Sequence, residues 1–122
     1  MNGAPALGRS AVITGILIAA ATGIPLSRWA LTAGATILGF AAPVFGCALG
    51  GFVAGNQAKR DGLYQGAVVG ALWVGLEALG VAPAPAGIGL GGPAETVALI
   101  AFDVVLLCAS CTGGWIATRA SR

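Results

Sequence analysis

Two apolar segments that carry glycine at every third or fourth position flank the only run of three consecutive charges in the chain, Lys59-Arg60-Asp61. Before that turn Gly39, Pro43, Gly46 and Gly50 fall at steps of four and three, and Gly55 closes the segment. After it Gly62, Gly66, Gly70, Trp73 and Glu77 follow the same spacing. Residues three and four apart share one face of an α-helix, so each set forms a smooth strip. In lipid, apolar burial gives helices no drive to associate, and small residues that let backbones approach closely supply it instead. The pattern predicts a membrane hairpin whose two glycine faces meet.

Composition agrees with lipid as the main solvent. Of 122 residues 57% are hydrophobic and only 8% charged, where soluble domains have about a quarter charged. The mean hydropathy is +0.94. Six basic and four acidic residues leave a formal charge of +2, too little basic surface for a nucleic-acid partner. The chain contains no histidine, which removes the commonest metal ligand and neutral-pH base. No metal, cofactor or catalytic constellation is expected, and the chain does not read as an enzyme.

Taken in order, the sequence predicts one domain, residues 1–122, made of four transmembrane helices at about 10–26, 29–55, 63–81 and 95–117. Arg9 before an apolar run also suits a secretory leader, but three later spans need a first one to set their orientation. Pro25 is expected to end the first span, with Ser27 and Arg28 as a turn before Trp29. The second span, roughly 40 Å as a straight helix, exceeds a core of about 30 Å, and Pro43 is expected to bend it. Because Pro43 frees the Gly39 carbonyl, that bend should face neighbouring helices able to satisfy it. Gly87, Gly89 and Gly92 match GxGxxG formally, but without a βαβ unit the stretch 83–93 reads as a connector. Pro93 suits the first turn of the last helix.

Arg9, Lys59, Arg60, Arg119 and Arg122 fall on one side of such a bundle and Arg28 alone on the other. The positive-inside bias then places both termini in the cytoplasm of a cell membrane. Trp29, Tyr64 and Trp115 sit near the expected interfaces, whereas Trp73 lies mid-span and does not fit.

Glu77 and Asp103 are the acids inside apolar spans, where a mid-membrane charge costs about 2.5 to 3.5 kcal/mol on insertion scales. Glu77 is roughly 21 Å from the inner start of its span and Asp103 roughly 12 Å from the outer start of its own. Within a core of about 30 Å their depths match to roughly 3 Å. Asp103 also shares a heptad-spaced stripe with Thr96, Ser110 and Gly114. Glu77, Asp103, Thr96 and Ser110 are therefore the candidate ion or proton site, beside a plainer reading in which protonated carboxyls bond neighbouring helices. Cys108-Ala-Ser-Cys111 has CxxC spacing but is turned away from the acidic stripe and lacks the ligands or second cysteine pair that metal or thiol-redox chemistry needs; with Cys47 it reads as packing.

The stretch Gly50-Gly-Phe-Val-Ala-Gly55, a basic turn, then Asp61-Gly62-Leu-Tyr-Gln-Gly66-Ala-Val-Val-Gly70 resembles a pattern in small prokaryotic four-span membrane proteins of unassigned function: a GGxxAG helix end, a charged turn and a GxxxGxxxG helix start. The resemblance implies a fold and assigns no role to Glu77, Asp103 or the cysteines. The leading expectation is a structural or accessory membrane component that packs with itself or with a larger complex, with the stripe Gly8, Gly15 and Thr22 offered for self-association. The alternative is a small oligomeric proton- or ion-coupled transporter or channel.

Overall fold

A computed structural model describes residues 8–34, 36–59, 61–79 and 92–120. They form four packed helices: α1 Arg9–Thr32, α2 Thr36–Ala58, α3 Gly62–Ala78 and α4 Gly92–Ala120. The expected all-α bundle is present. Among the described residues three stretches are long and apolar enough to cross a membrane, Arg9–Ala30, Ile37–Ala58 and Gly92–Ala120. The described part of α3 has 17 residues, about 25 Å of helix. Residues 80–91 lie outside the described residues, and with them the expected end of the third span and most of the 83–93 connector.

The first turn is not where Pro25 suggested. α1 runs through Pro25 to Thr32, so Ser27, Arg28 and Trp29 are helical rather than a turn and a second start. The stop is at Gly34, whose φ of +77° is the left-handed conformation that ends helices and that glycine adopts without a Cβ penalty. Ahead of it the Trp29 carbonyl accepts both the Ala33 N–H at 3.0 Å and the Thr32 hydroxyl at 2.8 Å. A proline inside a helix removes one hydrogen bond, and membrane helices tolerate that loss without ending. α2 accordingly starts at Thr36 and has 23 residues, close to a hydrocarbon thickness at about 35 Å. The second turn is short: Lys59 and Asp61 both take positive φ, 59° and 50°, and α3 begins at once.

Contacts between residues fix the directions. Gly15 meets Gly50 while Gly23 meets Gly46, so α1 and α2 are antiparallel. Gly62 meets Gly114 and Gly70 meets Leu107, so α3 and α4 are antiparallel too. Gly51 on Ser110 and Gly55 on Gly114 make α2 and α4 parallel. α1 and α4 make no contact among the described residues, whereas α2 and α3 each touch every other helix. The cross-section is a rhombus with α1 and α4 at its far corners.

That arrangement corrects the expected hairpin. The glycine faces of α2 and α3 do not meet each other. Gly46 and Gly50 pack on α1, where a β-carbon at Gly50 would lie 2.5 Å from the Gly15 carbonyl oxygen. Gly51 and Gly55 pack on α4, and Gly62, Gly66 and Gly70 pack on α4 as well, against Gly114 and Thr118, Ser110, and Leu107. α2 is thus smooth on two faces about 100° apart, since consecutive residues step by that angle. A smooth face joins whichever helix offers small residues in register, and α4 offers Ser110, Gly113 and Gly114. The stripe expected for self-association is also used within the chain: Gly15 lies on Gly50, Gly8 lies beside Gln65, and Thr22 bonds back to the Ile18 carbonyl.

The outer surface is apolar. Ile37 is 87% exposed, and Leu17, Phe45, Leu63, Val97 and Ile100 are exposed with it. In water such a surface would aggregate; in a bilayer it is the surface the solvent requires. The charges that the structure describes at one end of the bundle are Arg9, Lys59, Asp61 and Arg119, brought together by the contacts of Gly8 with Ala58 and of Gly62 with Thr118. Arg28 and Glu95 belong to the opposite end.

Candidate functional site

Trp73 and Glu77 stand one turn apart on α3, at the half of the bundle away from that charged end. Trp73 is 0% exposed. Its indole lies on Gly23 of α1, where an added β-carbon would sit 2.7 Å from the ring edge; the ring fits because that residue has no side chain. A buried indole N–H needs an acceptor, and Trp73 Nε1 donates to Glu77 Oε1 at 2.8 Å. The aromatic that did not suit an interface is therefore an interior residue that positions a carboxylate.

The Asp103 carboxyl lies across the α3–α4 seam, close enough to that of Glu77 to interact with it. Both acids are half-buried. Beside Asp103, Phe102 packs edge-on against Phe40 of α2, ring centres 5.9 Å apart at 75°, and Leu106 one turn on is fully buried. Glu77 is thus held by an indole, and Asp103 is flanked along α4 by the apolar Phe102 and Leu106.

The other two residues of the expected site are elsewhere. Ser110 is seven residues from Asp103, about 10 Å along α4, and its hydroxyl donates to the Gly66 carbonyl at 2.6 Å. It is a clamp between helices. Thr96 is exposed at the opposite end of the stripe. Heptad spacing kept these residues near one face, but one helical face about 20 Å long does not make one site.

Pro43 is buried, and the carbonyl it frees has a partner. The Ser27 hydroxyl of α1 donates to Gly39 O at 3.2 Å. This is the satisfaction from a neighbouring helix that a proline inside lipid requires. Nothing local to residue 27 signals the role, because it depends on the register between α1 and α2. Gln65 was also not singled out from the sequence. It is fully buried, and its Oε1 accepts the Gly8 N–H at 3.2 Å, tying α3 to the start of α1. The visible signal was its spacing of four from Val69 and eight from Trp73 on one face of α3.

Cys47 is buried, Cys111 half-buried and Cys108 exposed, and all three thiols are free. Among the described residues no group of three or more His, Cys, Asp or Glu side chains lies close enough to hold a metal. No protein-family model, curated protein or solved structure matches the chain.

Proposed function

We propose that this multi-pass membrane protein is a packing or accessory component, associating with further copies of itself or with a larger membrane complex, and that it performs no catalysis. The observation that supports this most is where its interior polar atoms are spent. Ser27, Gln65, Ser110 and Thr118 are buried, and each makes a bond that holds a helix or joins two of them. Among the described residues no buried side-chain nitrogen or oxygen is left without a partner. In this reading Glu77 and Asp103 belong to the same glue. We further propose four spans with α3 as the third, in a cell membrane with both termini cytoplasmic; the gathering of Arg9, Lys59 and Arg119 at one end supports that orientation. Native mass spectrometry of the protein released from nanodiscs tests association: oligomers or a co-purified membrane partner are expected, and a monomer alone at all protein-to-lipid ratios would refute the reading.

A second reading has its own support, the proximity of the Glu77 and Asp103 carboxyls across the α3–α4 seam. Two neighbouring carboxyls can share one proton, one donating and one accepting, and intramembrane acids are by default candidates for proton and ion paths. Here the protein is a small proton- or cation-coupled transporter or channel. Flux of protons and alkali cations into liposomes separates the readings. Flux that disappears in well-folded Glu77→Gln or Asp103→Asn would favour transport, and no flux from inserted wild-type protein would leave packing as the function.

A further inference from the structure

Pro25 and Pro43 each stand inside a helix, α1 and α2, and neither helix ends there. The contacts between the two helices place the prolines at one level. Gly46 of α2 lies against Gly23, and the Gly39 carbonyl accepts the Ser27 hydroxyl. Pro25, midway between Gly23 and Ser27, is therefore level with the stretch between Gly39 and Gly46 in which Pro43 stands. Each proline removes one intrahelical hydrogen bond and presses on the carbonyl four residues back, the commonest cause of a sharp bend in a helix. Two weakened turns side by side divide the α1–α2 pair into a base and a tip. In the base the helices are locked backbone to backbone, Gly50 on Gly15 and Gly46 on Ala19. Beyond the prolines the two tips, 26–32 of α1 and 36–42 of α2, are tied to each other by the Ser27–Gly39 hydrogen bond at 3.2 Å.

The prolines also lie on matching sides of their helices. Pro25 is exposed on the outer surface of α1. Pro43 is buried and lies three residues from Gly46, on the side of α2 that meets α1, where the Gly39 carbonyl it displaces finds Ser27. A helix opens on the side of its proline ring and leans the other way. α1 therefore leans into the bundle and α2 leans away from α1, a single direction along the long diagonal of the rhombus toward α4. Space lies on that side. An apolar groove of about 620 Å³ between α2 and α4 is bordered by Ile37, Phe40 and Ala41 of the tip, Val44 and Ala48 of the base, and Phe102 of α4. Those α2 residues are turned from Pro43 by about 120° on average, at about 100° per residue. The Phe40 ring reaches across from the tip to Phe102, 5.9 Å between centres.

From this register we propose that the α1–α2 pair is hinged at the level of Pro25 and Pro43, and that its two tips swing together, tied by Ser27, to narrow and widen the groove between α2 and α4. Phe102, the α4 wall of that groove, is next in sequence to Asp103, so the swing sets what packs beside the acids. The hinge rests on neither functional reading, since a packing component and a transporter would both carry it.

The test is double electron–electron resonance on the whole chain in nanodiscs, with Cys47→Ala, Cys108→Ser and Cys111→Ser so that only introduced cysteines carry nitroxides. Val104→Cys on α4 is paired with Leu38→Cys on the α2 tip or with Trp29→Cys on the α1 tip, and Ile13→Cys with Phe52→Cys reports the base; all five side chains are exposed. A swing of about 20° over a tip about 10 Å long moves its end by about 4 Å. Both tip pairs are therefore expected to show two distances about 4 Å apart, in the same proportions, and the base pair one. Pro25→Ala and Pro43→Ala should each reduce both tip pairs to a single distance, and Ser27→Ala should make the proportions at the two tips differ. A single narrow distance at both tips before any proline is changed overturns the hinge, and two distances at one tip alone overturn the joint motion. Hydrogen exchange needs no label. In the chain with its own cysteines, either proline-to-alanine change should slow amide exchange in the tips of both helices, and slowing confined to the substituted helix overturns the coupling.

Discussion

The two halves of the α3–α4 seam are closed by opposite means. Toward the charged end Gly62, Gly66, Ser110 and Gly114 bring backbone against backbone, and the side chains involved are hydrogen atoms and small hydroxyls. Toward the other end Trp73, Leu106 and Phe102 pack in one apolar cluster that reaches α1 and α2, with the Glu77 and Asp103 carboxyls close to each other beside it. Close contact in lipid leaves no room for ionisable groups, whereas side-chain packing creates a space that polar groups then have to fill. The half with glycines specifies how the helices meet, and the half with side chains carries whatever chemistry the protein has.

The comparison breaks most severely at the indole. Trp73→Ala removes the largest buried side chain and the donor to Glu77, and a loss of about 3–5 kcal/mol is expected, as for large-to-small changes in packed cores; unfolding in mild detergent, followed by the fluorescence of the remaining tryptophans, measures it. Trp73→Phe should recover most of the stability while leaving Glu77 without its indole partner, which separates volume from hydrogen bonding.

The glycine half is broken by adding one carbon. A β-carbon at Gly66 falls onto the Ser110 carbonyl and within 3.0 Å of the Cys111 Cα, so Gly66→Ala should cost about 1–3 kcal/mol through forced separation of α3 and α4. Gly75 sits on the same helix with nothing within 4 Å of the added carbon, and there alanine should stabilise by about 0.5–1 kcal/mol through helix propensity. Opposite signs for the same substitution, read in one unfolding assay, would sharpen the distinction between a contact glycine and a merely small residue. Equal effects would remove it.

A smaller effect is expected outside the seam. Ser27→Ala leaves the Gly39 carbonyl freed by Pro43 without the donor it has in α1, at about 0.6 to 2 kcal/mol, the range of hydrogen bonds between membrane helices. In a Pro43→Ala background the loss should shrink, because the Gly39 carbonyl regains an intrahelical N–H. A double-mutant cycle measures that coupling.

Much of the architecture was legible because it depends on local quantities. Apolar length gives membrane-crossing helices, and helical rise placed Glu77 and Asp103 at one depth before any contact was known. Pro43 demanded a donor from a neighbour by covalent chemistry alone. The first turn was misplaced because a proline in an otherwise apolar helix ends it in water more readily than in lipid, and Gly34 was the true stop. Thr96 and Ser110 were joined to the acids because periodicity reports direction around a helix and is silent about distance along it.

What the sequence determined by itself is the solvent, the number of helices, the depth of the acids and the smoothness of the glycine faces, since each follows from one segment at a time. Only the tertiary structure decided which faces meet. α2 offers small residues in two directions and α3 in one, α1 and α4 both offer complementary strips, and van der Waals contact between smooth surfaces is nearly independent of residue identity. The choice is made by the fit of the whole set, in which α4 takes the glycines of α3, α1 takes Gly46 and Gly50, and Trp73 occupies the space that remains at Gly23.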